Sequence, residues 1–335
     1  MPGRATNEPS NYFALGKQSA KDSDASSFIF FKHLDGTGLE LDQQTETVRE
    51  GGDGQEAGFH HKTAISMDGD IVVYDRSLAG AALTSWTLGA NSVAVGTGAG
   101  TGITQIVTAV PTSSQPYLTG EQYWADVIER AGNIQVSGLT IEGESGRPLK
   151  LTANLVAGGT PWNRPVASAL TPTRETGQPY FYPGGTYTLT GASGAKLTKF
   201  KQEVRRNQDT DIRTTQLFRE DVIGLTFDST LEGTLKYEDN ALYKLANYSV
   251  ASNGLIDPNA LGLATGTFTA YTEHSGGARF FESVQPLVVF TGAKVNKLDP
   301  DGKTMYIDFS AMGVKNATHQ IFVRHTVPSG STTTF

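Results

Sequence analysis

Leu149, Leu151, Ala153 and Leu155 alternate with Lys150, Thr152 and Asn154, directly after the turn-forming run Gly143-Glu144-Ser145-Gly146-Arg147-Pro148. A period of two sends successive side chains to opposite faces of a strand, so this segment has one apolar and one polar face. With Ile134-Gln135-Val136 and Leu139-Thr140-Ile141 upstream, the pattern predicts a β-hairpin with one buried face. Composition extends that reading to the whole chain. Only 18 % of residues are charged and 38 are glycine. Together with abundant Thr, Ser and Val, this favours strands joined by many turns over long helices. At 335 residues, a prior of roughly 150 residues per domain gives two domains, each able to bury a core.

The formal net charge is −7, with a pI near 5.4. A surface of that sign is not drawn to phosphate, and a sequence-specific DNA binder needs a basic face. No cysteine is present, which excludes disulfides, Cys-ligated zinc and a thiol nucleophile. Residues 1–24 are polar and lack the apolar region of a secretory signal, so the chain is expected to stay in a cytoplasm. No run approaches the ~18 apolar residues that cross a bilayer. Asn247-Tyr248-Ser249 and Asn316-Ala317-Thr318 match a glycosylation triplet, and without that signal they read as chance.

Along the chain, residues 1–26 read as an N-terminal arm, disordered alone, with one apolar island at Tyr12-Phe13-Ala14-Leu15. Residues 27–160 form a first β domain. It opens with a strand at Phe28-Ile29-Phe30-Phe31, and a hairpin or loop follows around Arg49-Glu50-Gly51-Gly52-Asp53-Gly54. Thr119 and Gln122 have capping-box spacing, and Tyr123, Trp124, Val127, Ile128 and Ala131 recur at three- and four-residue intervals. That predicts a helix ending near Gly132. Residues 161–180, with Pro161, Pro165, Pro172 and Pro179, read as a connection. Residues 181–328 form a second β domain and 329–335 a C-terminal tail.

The second domain reruns the first. Leu197 to Arg205 can be laid on Leu39 to Arg49, and Pro286 to Phe290, the turn Leu298 to Lys303, and Met305, Ile307 and Phe309 reproduce the strand–turn–strand of residues 134–155.

Candidate chemical sites are weak. Gly96-Thr97-Gly98-Ala99-Gly100-Thr101-Gly102 has alternating glycines but no following Lys-Ser or Lys-Thr, and reads as a loop tip. His33, His60, His61, His274, His319 and His325 are scattered. His60 and His61 point to opposite faces of an extended segment, and His319 and His325 share a face without a supporting carboxylate, so no metal site is expected. Asp299-Pro300-Asp301-Gly302 begins like a calcium loop but lacks its closing Glu, and a type I turn explains it. The acidic pairs Glu142/Glu144 and Glu238/Asp239 carry no sign of convergence, and no nucleophile elbow is present. No catalytic residue, metal or cofactor is expected.

The loop Val48-Arg49-Glu50-Gly51-Gly52-Asp53-Gly54-Gln55-Glu56, the segment Pro116-Tyr117-Leu118-Thr119, and Val136-Ser137-Gly138-Leu139-Thr140-Ile141 leading into Pro148-Leu149-Lys150-Leu151 resemble the tail tube proteins (major tail proteins) of long-tailed, non-contractile bacteriophages, mainly over residues 28–160. The resemblance implies a mainly β chain of two tandem β-sandwich or barrel tail-tube-like domains, each with a short packed helix, plus extended loops and terminal arms. It implies a non-enzymatic subunit that joins into rings by inter-subunit sheet and stacks into the hollow conduit for DNA ejection. Family rings are six-fold, so a chain with two such domains needs three copies, giving trimeric rings with pseudo-six-fold symmetry. Further implied partners are a tape-measure protein and tail terminator and tip proteins. Double-stranded DNA would pass through the lumen without specific binding, no membrane is involved, and the location is the virion tail. Carboxylates and small hydroxyls lining the lumen would repel DNA weakly from every side. Two other readings fit the composition: a carbohydrate-binding or adhesion module using Trp86, Trp162, Tyr180 and Tyr182 as sugar platforms, and a capsid or head-completion protein.

Overall fold

The computed structural model describes residues 11–50, 57–94, 103–109, 115–124, 127–158, 170–173, 175, 177–190, 196–212, 217–236, 241–248, 263–273, 280–295, 306–316 and 320–327. The chain is mainly β. Its first half comprises β1 (Tyr12–Lys17), β2 (Ile29–Phe30), β3 (Gly38–Glu50), β4 (Ala57–Tyr74), α1 (Ser77–Leu88), β5 (Gly89–Ala94), β6 (Ile103–Ala109), β7 (Leu118–Trp124), β8 (Val127–Glu144) and β9 (Lys150–Ala157). Its second half comprises β10 (Gly185–Leu189), β11 (Leu197–Ile212), β12 (Asp221–Lys236), α2 (Ala241–Tyr248), β13 (Thr265–Glu273), β14 (Phe280–Val295), β15 (Tyr306–Gly313) and β16 (Phe322–Val327). The strand ladders are antiparallel.

Hydrogen-bonded neighbours run β1-β7-β8-β9-β4-β3 in the first half and β10-β13-β14-β15-β12-β11 in the second. The bulges recur as well. Ser137 is skipped in the β8–β9 ladder where Thr291 is skipped in β14–β15, and Thr119 is skipped in β7–β8 where Thr267 is skipped in β13–β14. A bulge kinks its strand and raises local twist. The long strands β8 and β14 thereby serve two layers: the early part of each pairs with β7 or β13, the late part with β9 or β15.

The two halves are stitched by β8 and β11, in register from Lys199↔Glu144 to Arg205↔Gly138. The result is a continuous eight-strand run, β3-β4-β9-β8-β11-β12-β15-β14. The apolar core is likewise one cluster reaching from Phe13 to Val323. Arg219, just before β12, reinforces the seam. Its Nη1 and Nη2 reach the two Asp68 carboxylate oxygens on β4 at 2.7 and 3.2 Å, and its Nε donates to the Thr210 carbonyl at 2.6 Å.

The helix expected from Thr119 to Gly132 is instead the β7–β8 hairpin. Tyr123 pairs with Ile128 and Trp124 with Val127 across its turn. Apolar residues that close on each other across a tight hairpin mimic the three- and four-residue spacing of a helical stripe. Burial shows the difference: Val127 is 56 % exposed, whereas Glu121 is buried and receives the Arg130 guanidinium. Tyr12-Phe13-Ala14-Leu15, expected within an unstructured arm, is buried in β1 because β1 joins β7 on one edge and β2 on the other.

The true first-half helix, α1, has almost every residue buried, so it carries no polar stripe. It packs on β5, β6, β8 and β16. Arg76 at its N-cap provides no side-chain cap; Glu175 accepts from the Leu78 and Ala79 amides at 3.1 and 3.3 Å instead. At its end Gly89 adopts φ +86, the left-handed geometry that glycine tolerates, and Arg206 of β11 donates to the Thr87 and Leu88 carbonyls, the latter at 2.6 Å.

Candidate functional site

Alternation along the eight-strand run sorts its side chains. Leu151, Ala153 and Leu155 of β9, Phe200 and Val204 of β11, Leu231 and Leu235 of β12, and Ile307, Phe309 and Ala311 of β15 enter the core. The intervening residues form an open polar face. On it stand Glu40, Asp42, Asp68, Asp70, Glu142, Glu144, Glu203, Glu232 and Asp308, against the fewer cations Lys150, Lys199, Lys201, Arg205, Lys236 and Lys294. Several cations are held by carboxylates: Lys150 reaches Glu142 at 3.3 Å, Lys201 reaches Glu203 at 3.4 Å, and Arg205 reaches Glu203 at 2.7 Å. Partial burial pushes the Glu203 carboxyl up, but these two cations outweigh it and hold the group below its ordinary value. Hydroxyls and amides fill the gaps, as where Thr234 donates to Asp308 and Asn154 to Asp70, each at 2.7 Å. A hollow of about 600 Å³ in this face is bounded by Lys199, Lys201, Glu232, Lys294, Asp308 and Asn247 among others. Its charges are mixed in sign, with Glu142 and Lys201 held by Lys150 and Glu203 just outside it.

The run ends in two edges. Among the described residues, strand β3 pairs only with β4, and it is exposed from Glu40 to Thr47. The late part of β14, Gly292 to Val295, is paired, among the described residues, only with β15. Each edge is touched by one carboxamide. Gln122 accepts from the Leu39 amide at 2.9 Å and donates to the Leu39 carbonyl at 3.0 Å. Asn247 of α2 donates to the Ala293 carbonyl at 2.9 Å and accepts from its amide at 3.4 Å. A side-chain amide thus imitates an adjoining strand at both ends of the sheet, blunting edges that would otherwise invite pairing.

The residues singled out in the sequence do not assemble a chemical centre. Glu142 and Glu144 sit on the open face as partners of Lys150 and Arg147. His325 is fully buried, its Nε2 3.3 Å from both carboxylate oxygens of buried Asp75, where it ties β16 to the start of α1. The pair is closed to solvent. His61 is exposed beside Glu46, and the half-buried His33 ring meets Trp124 edge-on. Among the described residues no three His, Asp or Glu side chains could share a metal ion. Trp86, Tyr180 and Tyr182, considered as sugar platforms, are buried: Tyr180 donates to the Phe280 carbonyl at 3.1 Å, and Tyr182 stacks on Tyr187 at 4.1 Å. The Gly51–Gly54 and Gly96–Gly102 runs, Asp299–Gly302, Glu238, Asp239, Trp162, His274 and His319 lie outside the described residues, as does the His60 side chain. The Asp75–His325 pair and the two carboxamide clamps went unrecognised in the sequence, because their members are far apart along the chain and share no spacing rule.

No described helix is long and apolar enough to cross a membrane. Compared with known proteins, the chain matches no family model and no curated protein sequence.

Proposed function

We propose that the chain is a tail tube protein of a long-tailed, non-contractile bacteriophage: a structural subunit made in the host bacterial cytoplasm that closes into rings and stacks into the conduit for DNA ejection. The observation that carries this reading is the repeated strand order. The two halves of the chain, each with its own short helix, share a sheet through β8 and β11, and on this reading each is one tube-like unit. A sheet that already continues from one unit to the next is built to continue further, and a closed ring removes its edges.

The open polar face then lines the bore. Its surplus of carboxylates, with Lys150, Lys201 and Arg205 held in ion pairs, offers DNA few free positive contacts, so the duplex slides instead of being retained. Strand spacing favours three copies per ring over six. Three copies bring about 24 strands at ~4.8 Å, an untilted barrel roughly 37 Å across between backbones, whereas six copies give roughly 73 Å. The narrower barrel suits one DNA duplex after side chains have taken their share. A tape-measure protein inside the tube and terminator and tip proteins at its ends are the partners this role requires.

Electron microscopy of the purified protein at rising concentration tests the proposal. Uniform hollow tubes with three chains per ring are expected. A protein that stays monomeric at all concentrations would remove the basis for the reading, and six chains per ring would refute the pseudo-six-fold arrangement.

A further inference from the structure

The seam inside the chain is a template for the seam between chains. Following the shared bulges at Ser137 and Thr291 outward along the ladders, Ala293 occupies the place of Leu139 and Leu41 the place of Val204. Leu139 and Val204 are directly opposite in the β8–β11 ladder. We infer that β14 of one copy pairs antiparallel with β3 of a second copy, with Leu41 opposite Ala293, Glu40 opposite Lys294 and Asp42 opposite Gly292. This deepens the ring reading above and rests on it.

Three observations that did not enter the mapping agree with this register. The first is backbone parity. In an antiparallel ladder, alternate residues present both backbone groups to the same neighbour. Gln122 shows that Leu39, and hence Leu41, faces away from β4, while Asn247 shows that Ala293 faces away from β15. The register sets outward-facing Leu41 against outward-facing Ala293; a slip of one residue would set outward groups against inward ones. The second is charge. Glu40 and Lys294 are exposed, neither has an ion-pair partner among the described residues, and the register makes them direct cross-strand neighbours. The third is burial. Leu41 is 41 % exposed, whereas Val204, its counterpart at the completed seam, is 1 % exposed.

Pairing therefore has to displace Asn247 from Ala293, so α2 guards the edge in the free chain.

The native chain has no cysteine, which makes disulfide trapping clean. Glu40 and Lys294 form a non-hydrogen-bonded pair, with Cα atoms about 4.5 Å apart, inside the range a disulfide accepts. In the control pair, Asp42→Cys with Lys294→Cys, the sites are diagonal neighbours about 7–8 Å apart and outside that range. Oxidation of assembled E40C/K294C protein is expected to yield covalent multimers ending in closed trimers, and the D42C/K294C control is expected to yield none. Charge exchange gives a second readout: E40K and K294E each suppress assembly, and the double exchange restores it. Tubes that form without cross-linking of E40C/K294C, or with equal cross-linking of the control, would overturn the register while leaving the ring reading intact. Absence of tubes and multimers from the native protein would overturn both.

Discussion

Removing the Arg206 guanidinium should loosen the junction between the halves. Arg206 belongs to β11, yet it closes the C-terminal end of α1 in the other half by donating to the Thr87 and Leu88 carbonyls, with its guanidinium 5.4 Å over the Phe227 ring. Each hydrogen bond from a charged donor is worth about 1.5–3 kcal/mol, the cation–π contact about 0.5–2 kcal/mol, and a cation at a helix C-terminus gains a further ~0.3–1 kcal/mol from the helix dipole. Burial works against these gains: it lowers the Arg206 pKa to about 10 from an ordinary 12.5, equivalent to about 3 kcal/mol of disfavoured charge. Arg206→Met keeps the aliphatic volume, recovers the burial cost and leaves two buried carbonyls without this donor. A net loss of about 2 kcal/mol is expected, and Arg206→Ala, which adds a cavity, should lose about 4 kcal/mol. Urea unfolding of the monomer, followed by tryptophan fluorescence because Trp86 lies in α1, reads both values. If Arg206→Met is as stable as the native chain or more so, burial outweighs capping and the guanidinium does not hold the halves together.

Asn247→Ala should free the β14 edge at a cost of no more than about 1 kcal/mol in the monomer, since the lost bonds are neutral and exposed; a shorter lag in light-scattering assembly is expected, and an unchanged lag would show that α2 is no guard. Gly143→Ala places a methyl 2.3 Å from Cε1 of Phe200 at the β8–β11 seam, and overpacking of this kind costs about 1–3 kcal/mol in thermal or urea unfolding; a neutral result would mean that Phe200 moves aside freely. Burial raises the Glu175 pKa above 4.5, nearby Asp75 adds to the rise, and the Leu78 and Ala79 amides oppose it. The folded state thus holds this proton more tightly than the unfolded chain. The stability it contributes is complete below the unfolded pKa and is lost as pH rises through the folded one. Glu175→Gln should remove that dependence, so the native-minus-variant difference in Tm should fall as pH rises out of the ordinary carboxylate range and through the raised folded value, and a flat difference would contradict the assignment.

The strands that pack one face on the core were legible in the sequence; those that pack on both faces or neither were not. Leu149 to Leu155 and Ile307 to Phe309 alternate because one side of β9 and of β15 meets the core, and both hairpins stand where the pattern puts them. Helix α1 was hidden because it is buried on nearly every side, its Thr84 and Thr87 hydroxyls turned onto its own carbonyls, and because its N-terminal cap, Glu175, lies far along the chain. The repeat was legible as an order of elements but not in register. The pattern lays Leu197 on Leu39, whereas the ladders place Gln202 there. The cause is β3 itself, exposed on both faces from Glu40 to Thr47, so no buried alternation fixes its phase. The open face was invisible for a similar reason: its charges come from eight strands, and only the fold brings them side by side.

In the proposed ring of three copies, joining two units in one chain would change how the ring is made. Of its six seams, half would be β8–β11 seams that form as each chain folds, at the high effective concentration of a tethered pair. Only the inferred β14–β3 seams would require association, with its loss of translational and rotational freedom. Those are the seams whose edges carry side-chain amides in place of strands, at Leu39 and at Ala293. Such a clamp satisfies a few backbone groups where a full strand satisfies a row of them. It is therefore strong enough to blunt an isolated edge and weak enough to yield to the partner proposed for it, so that protecting the edge in the free chain would not close the route to the proposed ring.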